Sequence, residues 1–575
     1  MQLIMVIVIL VAILLAFLSY LIPKKLSVPL VVVGAIGLTM YIVVRHSFFD
    51  VLLPVSVMLI TYISFSEIFD RDKWIKKEQL KKKVAISNVQ MVDQNKDGRR
   101  IFVDSCLTIL ISSISILCLL FAPETYIVFK YLIGVHLIMM FAPFLNRVAD
   151  YLFATIYALP EENKIIIISL FESRELPMRD LIDVKKESAP DVLRIHPIFT
   201  FLSEHRDYTK AFTTVLRLSF PGVTIYLTPS NPEWWYEQWR KDENEQRIEK
   251  VKQVYPLWHP KTIKRLLWKG YFVITVKGIS AYTGLLFILI SLKTPWYGIV
   301  LFILTWWLFN LYIADQLLIT ATDATKVTEG ELYVIAQEIF SRAGITKTKL
   351  YLIDSPVYNG LATGMNIGKG TIMLTTATAK LSKSAVEAIL AHEAIHIKKR
   401  DVLINQLARI IITAVIALNV YLFFDQIKLL ADHFVLLMIF INIMMIAFII
   451  CLSLIAQWTE IRADYSGAKL LAEGSTQMAE GLRELALAQD GSINKALQYS
   501  TVDLKSAKEN SYTERGSWLF RCIEFTFLPH PPLYWRIHTL LENRSWRKIK
   551  QTWLIARFKA CLPDFCQRKS IHDSE

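Results

Sequence analysis

One five-residue segment of this sequence combines residue types that can bind a metal ion and transfer a proton. Residues 392–396 read His-Glu-Ala-Ile-His. On an α-helix His392 and His396 lie one turn apart on the same face, so both imidazoles can bind one Zn²⁺ ion. Glu393 then lies beside the metal, where its carboxylate can take a proton from a zinc-bound water whose pKa falls from about 15.7 towards about 7. The spacing therefore predicts a zinc site suited to activating water.

The elements around this segment must hold it in place. Ser384 and Glu387 fit the Ser-x-x-Glu capping box, which predicts a helix that begins there and carries the metal-binding residues on its second and third turns. Before it, the residue pattern predicts a helix over 327–343 and strands at 349–353 and 371–375. This order suits a zinc peptidase, in which an edge strand beside the metal aligns an extended peptide.

The composition is that of a polytopic membrane protein. Of the 575 residues, 54% are hydrophobic and only 20% are charged, and the mean hydropathy is +0.39. The first apolar segment lacks the basic start and the cleavage site of a signal peptide, so we expect it to remain as an anchor. Nine segments have the roughly 20 apolar residues that cross a bilayer: 1–22, 26–44, 47–69, 101–122, 126–147, 271–292, 296–315, 402–424 and 429–457.

The distribution of charge predicts the orientation of these spans. The chain has 64 Lys and Arg against 51 Asp and Glu, a net charge of +13. We attribute this excess to membrane topology and not to nucleic-acid binding, because ten basic residues cluster in the loop 70–100. The positive-inside rule places that loop in the cytoplasm and the N-terminus outside. It follows that 148–270, 316–401 and 458–575 are cytoplasmic, with every candidate catalytic residue.

A catalytic zinc ion needs a third protein ligand and an open position. Glu460, which opens the Glu-Ile-Arg-Ala-Asp segment after the last predicted span, is the candidate. The two spans between His396 and Glu460 form a hairpin that returns the chain to the same membrane face. Asp464, one helical turn later, can accept a hydrogen bond from a ligand imidazole. The alternative is a solvated helix start, and the two motifs together favour metal binding.

Residues 148–270 form a predicted cytoplasmic insert of unknown role, with strands at 164–168 and 223–227. The tryptophan-rich segment 231–240 begins as a turn and continues as a helix. We interpret its tryptophans as membrane-interface anchors, with a docking surface as the alternative. The six cysteines lie in predicted spans or on the cytoplasmic side, where thiols stay reduced.

The combined motifs resemble HtpX and the CAAX-prenyl-protease family of integral membrane zinc metallopeptidases. The resemblance covers roughly 320 to 545 and says little about residues 1–270. One departure is Gly360, where the family's N-A-x-A-T-G stretch has alanine. The matching residues, besides H-E-x-x-H, are Ser382, Glu387 to Ala391, Arg400-Asp401, Asn359-Gly360-Leu361-Ala362-Thr363-Gly364, the E-x-x-A-D residues Glu460 to Asp464, and His530-Pro531-Pro532 with Arg536.

The resemblance implies a gluzincin fold with one Zn²⁺ ion on His392, His396 and Glu460, and Glu393 as the general base. It further implies that an edge strand at Asn359, Gly360, Leu361, Ala362, Thr363 and Gly364 holds the substrate, and that Asp464 and Asp401 support the ligands. His530 and Arg536 match positions that face the active site, where either can stabilise an oxyanion. The alternative for these two residues is a turn followed by a helix salt bridge.

These inferences predict a mainly α, polytopic membrane protein of about nine spans with a cytoplasmic zincin-like α+β metallopeptidase domain. We expect an N-terminal membrane region (1–147), the insert (148–270), two spans (271–315), an HtpX-like domain (316–545) containing the hairpin 402–457, and a basic tail (546–575). The expected activity is zinc-dependent endopeptidase cleavage of peptide or membrane-protein substrates at the cytoplasmic face of a bacterial cell membrane, in quality control. The alternatives are a regulatory sensor-protease with one partner, or an inactive zinc-binding scaffold.

Overall fold

The structure is a computed structural model of the chain. Within residues 2–562, it describes all but 23–25, 27–28, 31, 35, 38–39, 42–48, 67, 122–126, 203, 241–251, 278–279, 364–369, 432–433, 503–517 and 543. These residues form two compact units. The first comprises Met1–Trp307, Thr320–Asp323 and Asn494–Leu504, and the second comprises Leu308–Ile319, Ala324–Ile493 and Lys505–Glu575.

The first unit opens with apolar helices and one polar helix. Helices α1 (Gln2–Leu21) and α2 (Phe49–Ser66) pack through a small apolar cluster that includes Ala12 and Met58. The polar helix α3 (Arg71–Ile86) begins at Asp70, whose side chain accepts from the Asp72 N–H at 3.0 Å. Helices α4 (Gly98–Phe121) and α5 (Ile127–Phe153) follow.

The insert and the short strand β1, which precedes it in the chain, fold into two four-stranded sheets that share one apolar core. The strands predicted at 164–168 and 223–227 are confirmed as β3 and β8. The first sheet has the order β1-β2-β3-β4, with β1 (Gln90–Met91), β2 (Thr155–Leu159), β3 (Lys164–Ile168) and β4 (Ser173–Pro177). The second has the order β5-β7-β8-β6, with β5 (Asp183–Glu187), β6 (His205–Asp207), β7 (Val215–Phe220) and β8 (Val223–Leu227). The short helix α6 (Val192–Ile195) lies between β5 and β6, and α7 (Pro232–Trp239) follows β8.

The membrane-anchor interpretation is wrong for two of the tryptophans in α7. Trp235 and Trp239 are buried among the side chains of both sheets. Their rings lie 4.8 Å apart, and Trp234 is the more exposed neighbour. A helix after the last strand presents one face to the sheets, so residues four apart on that face join the core.

A buried ion-pair network joins α4 and α5 to the second sheet of the same unit. Arg100 contacts both Asp104 and Asp207, and Arg147 Nε lies 3.1 Å from Asp104 Oδ2 and 3.0 Å from Asp207 Oδ2. Arg147 also donates to the Thr209 carbonyl at 2.7 Å. Two guanidinium groups thus balance two carboxylates away from water, as buried charges require.

Several helices lead into the second unit: α8 (Pro260–Phe272), α9 (Ser280–Ser291) and α10 (Trp296–Ala321). The sheet of the second unit has the order β11-β12-β10-β9, with β9 (Thr325–Lys326), β10 (Lys349–Ile353), β11 (Gly360–Thr363) and β12 (Thr371–Thr375). The strands predicted at 349–353 and 371–375 are confirmed. The helices are α11 (Glu331–Ala343), α12 (Lys383–Lys399), α13 (Asp401–Leu422), α14 (Phe424–Ala431), α15 (Phe434–Ala468), α16 (Gly474–Ser500), α17 (Trp518–Phe527), α18 (Leu533–Leu541) and α19 (Trp546–Ala560).

The helix predicted over 327–343 begins four residues later than expected. Its first residue is Glu331, because the chain before it pairs with β10 as strand β9. The Val327 N–H continues this pairing by donating to the Leu350 carbonyl at 3.0 Å. Sheet pairing therefore sets the start of α11.

Three helices among the described residues are long and apolar enough to cross a membrane: Trp296–Ala321, Asp401–Leu422 and Ile443–Ala468. A bent pair, Gly98–Ser113 and Ser115–Phe121, would add a fourth. The predicted spans 296–315 and 402–424 match the first two. The predicted span 271–292 is divided, since a π-helix at Val273–Lys277 precedes the twelve-residue α9, and much of 26–44 lies outside the described residues. The chain is thus mainly helical with apolar, membrane-length helices, and nine spans are not confirmed.

The core of the second unit brings three helices together with very small side chains. Gly481 of α16 faces α12 so closely that an added Cβ would lie 2.6 Å from the Ala388 Cβ and 3.2 Å from the Ala385 Cα. A Cβ added at Gly467 of α15 would likewise lie 3.2 Å from the Ala391 carbonyl carbon. Glycine at these two positions lets α15 and α16 approach the helix that carries the metal-binding histidines.

We predict that Gly481→Val destabilises the protein by about 1–3 kcal/mol, because the added side chain overlaps the α12 backbone. Thermal unfolding of the detergent-solubilised chain, followed by circular dichroism, measures the change. Gly491→Val is the matched control, since nothing lies within 4 Å of a Cβ added at this position of the same helix. Equal unfolding midpoints for Gly481→Val and the wild type would contradict the close approach.

Candidate metal centre

Helix α12 carries the two histidines, and its ends position them. Its N-cap is Ser382, whose Oγ accepts from the Ala385 N–H at 3.2 Å. The helix thus begins two residues before the Ser384 start that the capping-box pattern predicted. It ends at Arg400, whose left-handed conformation (φ 55°) lets α13 start at the next residue. This tight reversal turns Asp401 back towards His396.

Three predicted ligand residues come together as one group. Ligand atoms of His392, His396 and Glu460 all lie within 4.8 Å of one another. The two Nε2 atoms are 3.0 Å apart, and the Glu460 carboxylate lies 3.4 Å from the His392 Nε2 and 3.3 Å from the His396 Nε2. Two imidazole nitrogens and a carboxylate facing one point form a donor set typical of catalytic zinc sites.

Hydrogen bonds on the far side of each ring orient this donor set. The His392 Nδ1 lies 2.8 Å from Asp464 Oδ1, and the His396 Nδ1 lies 2.8 Å from Asp401 Oδ2. An ionised carboxylate only accepts, so each Nδ1 carries the proton and each Nε2 directs its lone pair at the common point. The residues therefore fit a zinc ion bound through both Nε2 atoms and Glu460.

Each supporting carboxylate is in turn held by an arginine. Arg536 donates to Asp464 through Nε to Oδ2 and through Nη2 to Oδ1, both at 2.7 Å. Arg462 forms an ion pair with Asp401. The two ligand imidazoles thus have matching supports, each a carboxylate with a guanidinium behind it.

The carboxylates make the site electrostatically favourable for positive charge. Burial alone would lower the pKa of His392, but hydrogen bonds with Asp464 and Glu460 outweigh it and leave that pKa raised. Burial acts likewise on His396, where Asp401 and Glu460 hold the pKa well above its ordinary value. A site that stabilises added positive charge on its imidazoles is suited to a cation.

Glu393 lies between the histidines on α12 and next to the sheet. A Cβ added at Gly360 would lie 3.6 Å from Glu393 Oε1 and 3.0 Å from the Leu374 side chain, so strand β11 passes directly beside this carboxylate. Among the residues that the structure describes, β11 pairs with β12 alone and is the edge strand of its sheet. Of the predicted substrate strand, residues 360–363 form β11 and Asn359 precedes it, while Gly364 lies outside the described residues.

His530 and Arg536 both lie near Glu460 but differ in exposure. The His530 Nδ1 is 3.0 Å from Glu460 Oε2, and its side chain is 64% exposed. Arg536 is buried, with Nη1 at 3.5 Å from Glu460 Oε2. Its bidentate contact with Asp464 occupies Nε and Nη2.

Sequence reasoning missed Arg462 and Gln477. Arg462 lies between Glu460 and Asp464, where a helix directs it away from both, and its partner Asp401 is on another helix. Gln477 Nε2 donates to Glu387 Oε2 at 2.8 Å, so Glu387 joins α12 to α16 and does not act in the predicted capping box. Both contacts join residues far apart in the sequence, so no local pattern indicated them.

Comparison with protein families and known proteins agrees with this geometry. Residues 326–544 match the model of peptidase family M48, and residues 155–243 match a bacterial PH domain model. A protease HtpX homolog of Pelotomaculum thermopropionicum is 38% identical over 105 residues, which are 18% of this chain and 37% of that protein. One of Polynucleobacter necessarius is 26% identical over 242 residues, 41% of this chain and 81% of that protein. One of Ralstonia nicotianae is 32% identical over 121 residues, which are 20% of this chain and 42% of that protein.

The matched region is therefore a metallopeptidase-type domain of family M48. Over this region the chain is similar to HtpX homologs, in agreement with the resemblance seen in the sequence motifs. The matches to the first and third of these relatives span about two fifths of each relative's length. Among solved structures, the crystal structure of S. mikatae Ste24p aligns at 19% identity over 48% of this chain and 65% of that chain, with a TM-score of 0.32.

We predict that Glu460→Ala abolishes stoichiometric zinc binding, because two imidazoles alone leave the donor set incomplete. Metal analysis of the purified protein by mass spectrometry measures zinc per chain. Glu480→Ala, at an exposed position of α16, is the control and should keep its zinc. Full zinc occupancy in Glu460→Ala would require a different third ligand.

Proposed function

We propose that this protein is a membrane-embedded zinc metalloendopeptidase. The observation that carries the proposal is the convergence of His392, His396 and Glu460 beside Glu393 and a sheet edge. The M48 match and the HtpX homologs support the same class of enzyme. Zinc bound by these three residues would lower the pKa of a water molecule and polarise the substrate carbonyl.

The protein groups would bind the peptide and move the proton. The free edge of β11 would pair with an extended substrate backbone and set its carbonyl next to Glu393. Glu393 would then accept the proton from the attacking water and return it to the departing amine. An exposed His530 beside Glu460 can reach a substrate oxygen and stabilise the developing negative charge.

We assign Arg536 a positioning role. Two of its nitrogens are committed to Asp464, and the whole side chain is buried behind the ligands. Burial alone would lower the pKa of Arg536, but Asp464 reverses this and raises it, so the guanidinium stays charged. Its contact orients Asp464 and, through Asp464, the His392 ring. This assignment revises the expectation that Arg536 contacts the oxyanion directly.

The site is proposed to act at the cytoplasmic surface of a bacterial cell membrane. One residue, Arg400, separates the histidine helix from the membrane-length helix Asp401–Leu422. Glu460 itself lies in the last turns of the apolar helix Ile443–Ala468. These two connections support a site close to the bilayer, and the basic loop at 70–100 supports the cytoplasmic side. Membrane or misfolded proteins are the substrates that this location favours, which fits quality control.

We predict that Glu393→Gln keeps its zinc and loses peptide-bond cleavage. Removing a general base of this kind costs about 100-fold to 10,000-fold in rate. Casein cleavage by the full-length protein in detergent, with zinc measured on the same samples, tests both parts. A zinc-loaded Glu393→Gln protein with wild-type activity would refute the assigned base, and an inactive wild type would favour the zinc-binding scaffold.

The breadth of substrates separates general quality control from a regulatory sensor-protease. We expect many membrane-protein fragments in cells with the wild type that are absent in cells with Glu393→Gln, because an edge strand binds the peptide backbone with little regard to sequence. Quantitative proteomics of peptide ends in the two strains measures this. A single cleaved target would favour the sensor-protease, in which the N-terminal helices and the insert would detect the signal.

A further inference from the structure

We propose that helix α19, which lies beyond the matched domain at 326–544, positions the metal centre through Gln457. Trp553 and Arg557 of α19 hold the Gln457 amide. Gln457 in turn holds the segment that carries His530 against the helix that carries Glu460. The inference rests on the proposed function for the role of this site, and it makes Gln457, Trp553 and Arg557 positioning residues.

Gln457 lies on α15, one turn before Glu460, and is completely buried. Its Nε2 donates to the backbone carbonyls of Phe525 at 3.0 Å and Leu528 at 2.8 Å. These carbonyls are at the end of α17, where a helix leaves its last carbonyls without partners within the helix. Leu528 is two residues before His530. One side-chain amide therefore holds the segment that carries His530 against α15, the helix that carries Glu460.

The other end of the amide faces α19. Gln457 Oε1 accepts from Trp553 Nε1 at 3.1 Å and from Arg557 Nη1 at 2.9 Å. Arg557 Nη2 also donates to the Thr526 carbonyl at 2.8 Å, so it contacts both α15 and the end of α17. Only one orientation of the amide satisfies this set, since a flip would place its NH₂ group against two donors and its oxygen against two carbonyls.

Apolar side chains surround the hydrogen bonds of Gln457 and connect them with Glu460. Ile461, next to Glu460 in sequence, is buried with Phe525 and Trp553. Arg557 is buried as well, and a charged side chain in such surroundings requires the polar partners it has here. His530 Nδ1 ends the series at 3.0 Å from Glu460 Oε2. A shift of α19 would therefore move His530 relative to Glu460.

The test compares Arg557→Leu and Gln457→Glu with Arg547→Leu, which makes the same substitution at an exposed position of α19. Gln457→Glu can still accept from Trp553 and Arg557 but cannot donate to the Phe525 and Leu528 carbonyls. The full-length proteins are loaded with Co²⁺ in place of zinc. We expect shifted cobalt d–d absorption bands in Arg557→Leu and Gln457→Glu, one metal ion per chain in both, and a wild-type spectrum in Arg547→Leu.

Casein cleavage by the zinc-loaded proteins gives the second readout. We expect kcat to fall by about tenfold or more in Arg557→Leu and Gln457→Glu, because misplacing a catalytic group by ~1 Å can cost as much as 100-fold. KM should stay within about twofold of the wild type, since the β11 edge is unchanged. Wild-type spectra and kcat in Gln457→Glu would overturn the inference. So would a loss of metal that parallels a loss of thermal stability, because α19 would then support only the fold.

The design also covers two other results: an Arg557→Leu protein that does not fold, and a wild type without peptidase activity. If Arg557→Leu does not fold, Arg557→Lys replaces it, since lysine keeps the charge but not the planar pair of donors that reaches Gln457 and Thr526 together. The cobalt spectrum does not depend on peptidase activity. An inactive wild type whose spectrum still changes in Gln457→Glu would therefore refute the proposed function and support the positioning role of α19.

Discussion

The region that matches family M48 depends on holding three side chains, the proposed metal ligands His392, His396 and Glu460, against one another in a buried site. His392 and His396 direct nitrogen lone pairs towards each other and towards Glu460, an arrangement that is unfavourable without a cation. The surrounding groups keep the site negative, since four carboxylates (Asp401, Asp464, Glu460 and Glu393) share two arginines: Arg462 pairs with Asp401, and Arg536 pairs with both Asp464 and Glu460. A divalent cation completes that balance. The negative charge of the site and the direction of the imidazole lone pairs therefore both favour a divalent cation.

Small side chains allow the helices to meet at this point. Gly467 and Gly481 bring α15 and α16 against the backbone of α12, and this contact aligns Glu460 with the histidines. Helix α15 also contacts α17 and α19, through Gln457 and the apolar cluster around Ile461. Because α15 continues from an apolar, membrane-length stretch to Glu460 without a break, one helix carries both that stretch and the proposed third ligand.

The first unit is stabilised by a shared sheet core and by buried ion pairs. Its two sheets share one core closed by α7, in a region that matches a bacterial PH domain model. Arg100, Asp104, Arg147 and Asp207 join the ends of α4 and α5 to the second sheet through buried ion pairs. Such a network is costly to break on one side only, so these helices and the sheet are expected to move together. Trp235 and Trp239 of α7 belong to this core, which explains these two residues better than a membrane interface does.

The sequence by itself determined the residue types of the metal site, their helical spacing and the strands at 349–353 and 371–375, because each depends on a short, regular pattern. Helix starts were predicted less well: α11 begins where pairing of β9 with β10 ends, and α12 begins at Ser382, not Ser384. Only the tertiary structure decided the partners of Arg462, Gln457 and Arg557. Each of them contacts a residue at least 61 positions away, and no local pattern encodes a contact at that separation.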